Sequence, residues 1–381
     1  MKSSQSPKLL LLSTANSVGG MERIVCSLSR EFTSRNWNVR TIFPRSKRDD
    51  VLLEWCREQD VVAETKSALL DAADVHTWNA SLKFRDFVKK SNPDIINIHY
   101  GDNFISLKDT VALRLSGKQP IIVTVHHPTP WNLENQKKRV MTLLSGLLVD
   151  QIITVSDATY CVLRQSRIPD SKLTIIPCGS RIPRFKVSRA QARNLLGLPE
   201  DKLVIGTLSR LVPHKGIIDL IKAMNLIKGD RNMFLAVAGE GPEKETLEDL
   251  ASEMLPEMHK FLGRIKDIDQ FMSAIDIFVL PSYMEGFGLV FIEAAFHGVP
   301  SVGTNVGGVP DVIIANKTGL LVQPGDYVSL ARAIDQLSIN ETFRNLLGSA
   351  ARMRAVSEFT ETVMADRYEN VFHNYCSPSL I

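Results

Sequence analysis

A chain of 381 residues is longer than one hydrophobic core usually holds, so two domains of about 150 to 200 residues are expected. With 44% hydrophobic and 23% charged residues the composition is that of an ordinary globular protein. There is no run of roughly 18 apolar residues to span a bilayer, and the opening MKSSQSPKLLLLSTANS turns polar too soon for a signal peptide, which points to the cytosol.

The net charge of +3 conceals an asymmetry. Residues 1–185 hold 26 Lys and Arg against 18 Asp and Glu, and the remainder 19 against 24, so the first half is basic and the second acidic. Either one half meets an anionic surface or substrate, or the solvated charge is merely uneven. Cys26, Cys56, Cys161, Cys178 and Cys376 are odd in number and lack CxxC or CxxH spacing, so neither a disulfide framework nor a zinc site is expected.

Short β-branched runs alternate with helical patterns along the whole chain, the signature of parallel sheets with crossover helices. In the first half the predicted strands are 8–13, 39–43, 95–99, 121–125, 151–155 and 173–176, with helices over 21–35, 78–90 and 157–164. The segment 175–185, IIPCGSRIPRF, reads as a linker. The second half restarts with strands at 203–207, 234–239, 275–281, 300–304 and 318–322. After Val356, helical spacing with Phe359, Tyr368, Phe372 and Tyr375 predicts a terminal helix whose apolar stripe docks on the first domain. The fold class is therefore α/β, two Rossmann-like doubly wound domains. Residues 1–183 form the first, 184–357 the second, and 358–381 cross back to the first. Ligands of such sheets bind beyond the carboxyl ends of the strands, and the cleft between the two domains is the expected site.

Six loops carry candidate chemistry. In YMEGFGLVFIEAAFHGVP, residues 283–300, a strand ends, Gly286 and Gly288 permit a tight turn, and a helix begins. Glu285 and Glu293 flank that turn, Glu293 lying about 7 to 8 Å along the helix axis. Carboxylates accept hydrogen bonds from vicinal diols, so one acid can hold a sugar and the other a ribose. The plainer alternative is a surface acid and a satisfied helix acid. SRLVPHKG supplies Arg210, His214 and Lys215 between a strand and a helix, where phosphates bind, or else three solvated charges. In AVAGEGPEKETLEDL, Gly239 and Gly241 suit a tight turn, but Lys244 stands where a dinucleotide fingerprint needs its third glycine, so NAD is not expected. Asp267 and Asp269 can hold a metal, but more often cap a helix. In the first half, Gly19 and Gly20 followed by Glu22 open a helix, and His126 and His127 follow a strand, with His99 and Ser156 at similar edges.

Together, EGFGLVFIEA, FVLPS, GVPSVGTNVGGVPDVI, GTLSRLVPHKG, AGEGPEKETL and FLGRI closely resemble the family 4 retaining glycosyltransferases of GT-B fold. The likeness runs over essentially the whole chain and includes the two acids of that family's E-x7-E motif. It implies that Arg210 and Lys215 bind the donor diphosphate, that Glu293 holds the ribose, and that Glu285, Gly286, Phe287 and Gly288 meet the donor sugar. It also implies backbone contacts to the base at Arg264 and Ile265, with Gly239 near the nucleotide and Leu289 closing the phosphate pocket. Gly19 and Gly20 would line the phosphate and sugar side, and His126 would lie near the reacting carbon. His127, where an acid is common, and Cys178-Gly179-Ser180-Arg181, where Asn-Gly-Val-Asp is frequent, depart toward the acceptor side.

The expected function is metal-independent, cofactor-free transfer of a hexose with retention. The donor would be a UDP-sugar, UDP-glucose being the best guess, and the acceptor a hydroxyl of a glycan or polyprenyl-linked acceptor in polysaccharide assembly. Two other readings stay open: a nucleotide-sugar epimerase on the same scaffold, and a non-catalytic nucleotide-sugar-binding protein. No nucleic-acid partner is expected. The basic first domain, through Lys137, Lys138 and Arg139 ahead of VMTLLSGLLV, is a candidate contact for the inner face of an anionic membrane, though an amphipathic core helix explains the same residues.

Overall fold

The computed structural model describes residues 6–14, 19–44, 49–66, 78–102, 105–128, 135–184, 187–227, 229 and 232–375. Cys376 and Phe185, named above, lie outside them. The chain divides into two compact units, one of Met1–Ser180 with Glu361–Ile381 and one of Arg181–Thr360.

The first unit is built on a seven-stranded, wholly parallel sheet. Its strands are β1 (Lys8–Ser13), β2 (Asn38–Pro44), β3 (Ala63–Lys66), β4 (Ile95–Tyr100), β5 (Ile121–Val125), β6 (Gln151–Thr154) and β7 (Leu173–Ile175), in the order β3-β2-β1-β4-β5-β6-β7. The intervening helices are α1 (Gly20–Ser34), α2 (Asp49–Glu58), α3 (Trp78–Ser91), α4 (Leu107–Ser116), α5 (Gln136–Leu148) and α6 (Asp157–Gln165). β1 and β4 are buried on both faces, Leu9 to Leu12 at no more than 1% exposure, which is why they read as unbroken apolar runs rather than alternating ones.

The second unit holds a six-stranded parallel sheet, order β10-β9-β8-β11-β12-β13. β8 is Leu203–Leu208, β9 Met233–Ala238, β10 His259–Gly263, β11 Ile277–Leu280, β12 Ser301–Thr304 and β13 Gly319–Val322. Its helices are α7 (Arg189–Leu196), α8 (Ile217–Ile227), α9 (Lys244–Met254), α10 (Ile268–Ala274), α11 (Leu289–Phe296), α12 (Val309–Val312), α13 (Tyr327–Ile339) and α14 (Glu341–Glu358). A buried knot ties this unit together. Arg193 of α7 bonds the carbonyls of Ala274, Glu200 and Lys202 and pairs with Asp276, which also accepts from the Val204 amide. Four of the five Arg193 N–H donors and both Asp276 oxygens have partners, the condition under which a buried ion pair is tolerated.

The terminal segment differs from expectation at its start. The helical pattern breaks at Phe359 and Thr360, so residues 357 and 358 belong to α14, and Phe359 packs edge-on against Phe287 of the second unit, 5.9 Å between centroids. The last helix, α15 (Glu361–His373), belongs to the first unit and buries Met364, Ala365, Tyr368, Val371 and Phe372. Its acids find partners on or near α1: Glu361 takes Arg30 and Ser27 at 2.6 Å each, and Glu369 takes Arg35 at 2.6 Å and the Trp37 indole at 3.2 Å. Phe372 lies 5.2 Å from Phe32.

Candidate active site

In each sheet the strand order reverses once, between β1 and β4 in the first unit and between β8 and β11 in the second. The loops leaving two such neighbours diverge and open a crevice at their carboxyl ends. The predicted site residues of the second unit collect there. The β8 loop carries Arg210, His214 and Lys215, and the β11 loop carries Glu285 to Gly288 and runs into α11.

Four loops, those after β8, β9, β11 and β12, are stitched at three seams so closely that only glycine fits there. Gly216 has φ +66, and a Cβ on it would lie 2.1 Å from the Pro281 carbonyl oxygen. Gly239, φ +133, abuts the Ser209 carbonyl in the same way at 1.8 Å, and Gly307, φ +52, the Glu285 carbonyl at 1.8 Å. Hydrogen bonds follow the seams: Tyr283 N–H to the His214 carbonyl at 2.8 Å, Gly308 N–H to the Gly286 carbonyl at 3.0 Å, and Thr304 Oγ1 to the Ser282 carbonyl at 2.5 Å. The Tyr283 hydroxyl donates to Asp219 at 2.6 Å, and that bond, with some burial, pushes its pKa up to about 12.

Inside this frame Lys215 Nζ stands 2.6 Å from Glu285 Oε1, which also accepts from Ser282 Oγ at 2.8 Å. Glu285 is 8% exposed and Glu293 6%, while the Arg210 side chain is exposed. Gly288, φ +86, caps α11 with no side chain over the helix start, and Glu293 follows a little more than one turn later. Arg264 and Ile265 leave the end of β10, whose Gly263 carbonyl accepts from the Gly239 amide at 2.7 Å, so the nucleotide-assigned backbone shares the same sheet edge. Asp267 caps α10 through the Gln270 amide, the plainer of its two expected roles. Among the described residues no group of three or more His, Cys, Asp or Glu could hold a metal ion.

In the first unit, Gly19 caps α1 and Gly20 begins it. Glu22 in that first turn is 2% exposed, and burial pushes its carboxyl up to about 7 against the N–H groups of Gly19 and Glu22 that favour the anion. His126, just past β5, is buried. Burial, then the neighbouring His127, lowers its pKa to about 3, so it is neutral at ordinary pH. Sequence reasoning gave no part to Ser282, Thr304, Gly307 or Asn97. Of these only Gly307 left a trace, in the Gly-Gly of GTNVGG.

The comparisons with known proteins agree with this frame. Residues 18–181 match the family model described as Glycosyltransferase Family 4, and residues 188–354 that described as Glycosyl transferases group 1. The chain belongs to the family 4 glycosyltransferases.

The glycosyltransferase is 26% identical to N-acetyl-alpha-D-glucosaminyl L-malate synthase of Bacillus anthracis over 296 residues, 77% of each chain. It is 28% identical over 274 residues to a GDP-mannose-dependent monoacylated alpha-(1-6)-phosphatidylinositol monomannoside mannosyltransferase of Corynebacterium glutamicum, 68% of this chain and 71% of the relative. In fold it resembles Anabaena HepE, crystallised with UDP, at a TM-score of 0.82 and 21% identity, covering 96% of this chain and all of that one. The architecture is GT-B, two Rossmann-like units. Among the described residues no helix is long and apolar enough to cross a membrane.

Proposed function

We propose that the enzyme transfers a hexose with retention from a nucleotide diphosphate sugar to a hydroxyl of a glycan or lipid-linked acceptor. The observation that carries this reading is the Lys215–Glu285 pair at the β8–β11 switch point, with Arg210 on the same loop and Glu293 on the helix that follows. A cation beside an acid suits a ligand whose diphosphate adjoins a polyol. Lys215 has three N–H donors and can keep Glu285 while turning another to phosphate. Both bonds to Glu285 fall on Oε1, so Oε2 keeps capacity for a sugar hydroxyl.

In the reaction the C1–O bond to the diphosphate breaks and the acceptor oxygen bonds C1 on the same face. The acceptor proton passes to the leaving phosphate and the nucleoside diphosphate departs. Arg210 and Lys215 stabilise the charge that develops there. Gly19, Gly20, Gly286, Phe287, Gly288 and Leu289 line phosphate and sugar, Glu293 takes the ribose diol, and Gly239, Arg264 and Ile265 meet the nucleoside. His126 orients the sugar and is not a nucleophile. The chemistry asks for no metal or cofactor.

HepE was crystallised with UDP and glucose, whereas the corynebacterial relative is named for GDP-mannose, so the base is the first thing to test; UDP-glucose is our assignment. Titration of a panel of UDP- and GDP-sugars should give binding to UDP-linked donors. NMR of the product with a candidate acceptor should show the donor's α configuration retained. Preference for GDP-linked donors would overturn the base assignment, and an inverted anomer the mechanism.

The acceptor side is proposed to meet an anionic membrane. On α5, Val140, Leu144 and Leu147 are 54%, 44% and 51% exposed beside the exposed Lys137 and Lys138, which favours an outward apolar row over the buried core helix the sequence also allowed. Co-sedimentation with phosphatidylglycerol liposomes should fall steeply between low and 0.5 M salt, about the range in which exposed charges become screened. Absent or salt-insensitive binding would favour a soluble acceptor.

A further inference from the structure

We infer that Asn97 and His99 set the tautomer of His126, making its Nδ1 a hydrogen-bond acceptor for a hydroxyl of the ligand. They are positioning residues. The inference rests on the proposed role of His126 beside the donor sugar.

The chain of bonds leaves one arrangement of protons. Asn97 and His99 lie two apart on β4 and so point to one face of the sheet, where the β4–β5 register sets Asn97 opposite Ile122 and His99 opposite Thr124. The Asn97 amide nitrogen donates to the Ile122 carbonyl at 3.2 Å and to Thr124 Oγ1 at 3.1 Å. A carbonyl can only accept, so the orientation of this amide is determined and its Oδ1 faces His99 Nε2 at 2.8 Å. His99 Nε2 must therefore carry hydrogen. Burial keeps His99 neutral, its pKa well below the ordinary value, so His99 Nδ1 is bare and accepts from His126 Nε2 at 2.8 Å. A neutral His126 with its proton on Nε2 has a bare Nδ1, which makes no hydrogen bond among the described residues.

The relay is held from a distant part of the chain. The Tyr368 ring of α15 stacks on His99 at 6.4 Å and 9°, and its hydroxyl lies 3.2 Å from Thr124 Oγ1. All five side chains are buried. An imidazole free to choose its tautomer would present N–H as readily as a lone pair. Here the protein presents only the lone pair, which selects a donor such as a sugar hydroxyl and disfavours an acceptor such as a phosphate oxygen.

The test is two-bond nitrogen–proton NMR of the uniformly 15N-labelled full chain, the His126 signals being assigned by their loss in His126→Gln. Protonated Nε2 and unprotonated Nδ1 at His126 are expected; protonated Nδ1 would overturn the relay without touching the proposed function. Asn97→Leu should mix the His126 tautomers and lower kcat about tenfold, the worth of one hydrogen bond, with little change in donor KM. Mixed tautomers at unchanged kcat would overturn the positioning role. Loss of all donor binding in the parent chain, with the expected tautomer present, would sink the function and spare the relay.

Discussion

Lys215→Ala is expected to lower donor affinity between 10- and 150-fold, the loss of one charge-assisted hydrogen bond of about 1.5 to 3 kcal/mol. It should also cost the free protein about 3 kcal/mol of stability, because it strands the 8% exposed Glu285 without its cation. The two losses are separable. In Lys215→Met with Glu285→Gln, no charge is left buried, so thermal stability should return most of the way, while UDP titrated by calorimetry still binds weakly. A double variant that regains UDP affinity would show that Lys215 serves the loop and not the phosphate. Recovery of neither would mean that Ser282, Lys215 and Glu285 act chiefly as a structural clasp.

Alongside Gly239→Ala, Gly307→Ala is expected to be among the most damaging single methyl groups in the second unit's loops. Its Cβ would stand 1.8 Å from the Glu285 carbonyl oxygen at φ +52. A left-handed alanine alone costs about 1 kcal/mol, and here the obstacle is backbone that cannot rotate aside. The loop after β12 must lift, breaking the bond from Gly308 N–H to the Gly286 carbonyl and moving Glu285 with it. We expect turnover to fall more than about 100-fold, because a 1 Å misplacement of a substrate-positioning group is enough for that. Gly229→Ala, with open space around its Cβ, is the matched control and should behave as the parent. Equal activity of the two variants would mean that the seam between these loops does not position the site.

Most of the architecture was legible because parallel strands buried on both faces leave unbroken apolar runs, as LLLL of β1 and IFVL of β11 do. β3 and β10 were not. AETK and HKFLG, each at one edge of its sheet, hold charged and polar residues among the apolar ones, whereas the opposite edges, LTI of β7 and GLLV of β13, keep short apolar runs and were predicted. The break at Phe359 and Thr360 was hidden for a different reason. Helical periodicity persists on both sides of it, and only packing shows that Phe359 serves Phe287 whereas Tyr368 and Phe372 serve the first unit.

The site residues were legible as chemistry and not as geometry. Acids and cations in glycine-bearing loops announce a ligand, but that Lys215 rests on Glu285 depends on β8 and β11 becoming neighbours, 70 residues apart in the chain. His99 was noted only as a strand-end histidine. Its meaning comes from the register that sets it across from Thr124 and within reach of His126, and no local pattern encodes a register between strands.

The most direct test is a crystal grown or soaked with UDP. The account predicts diphosphate density within hydrogen-bonding distance of Lys215 and Arg210, at the carboxyl ends of β8 and β11, with the ribose diol on Glu293. UDP seated away from that switch point, or Lys215 still bound to Glu285 alone with the nucleotide present, would contradict it.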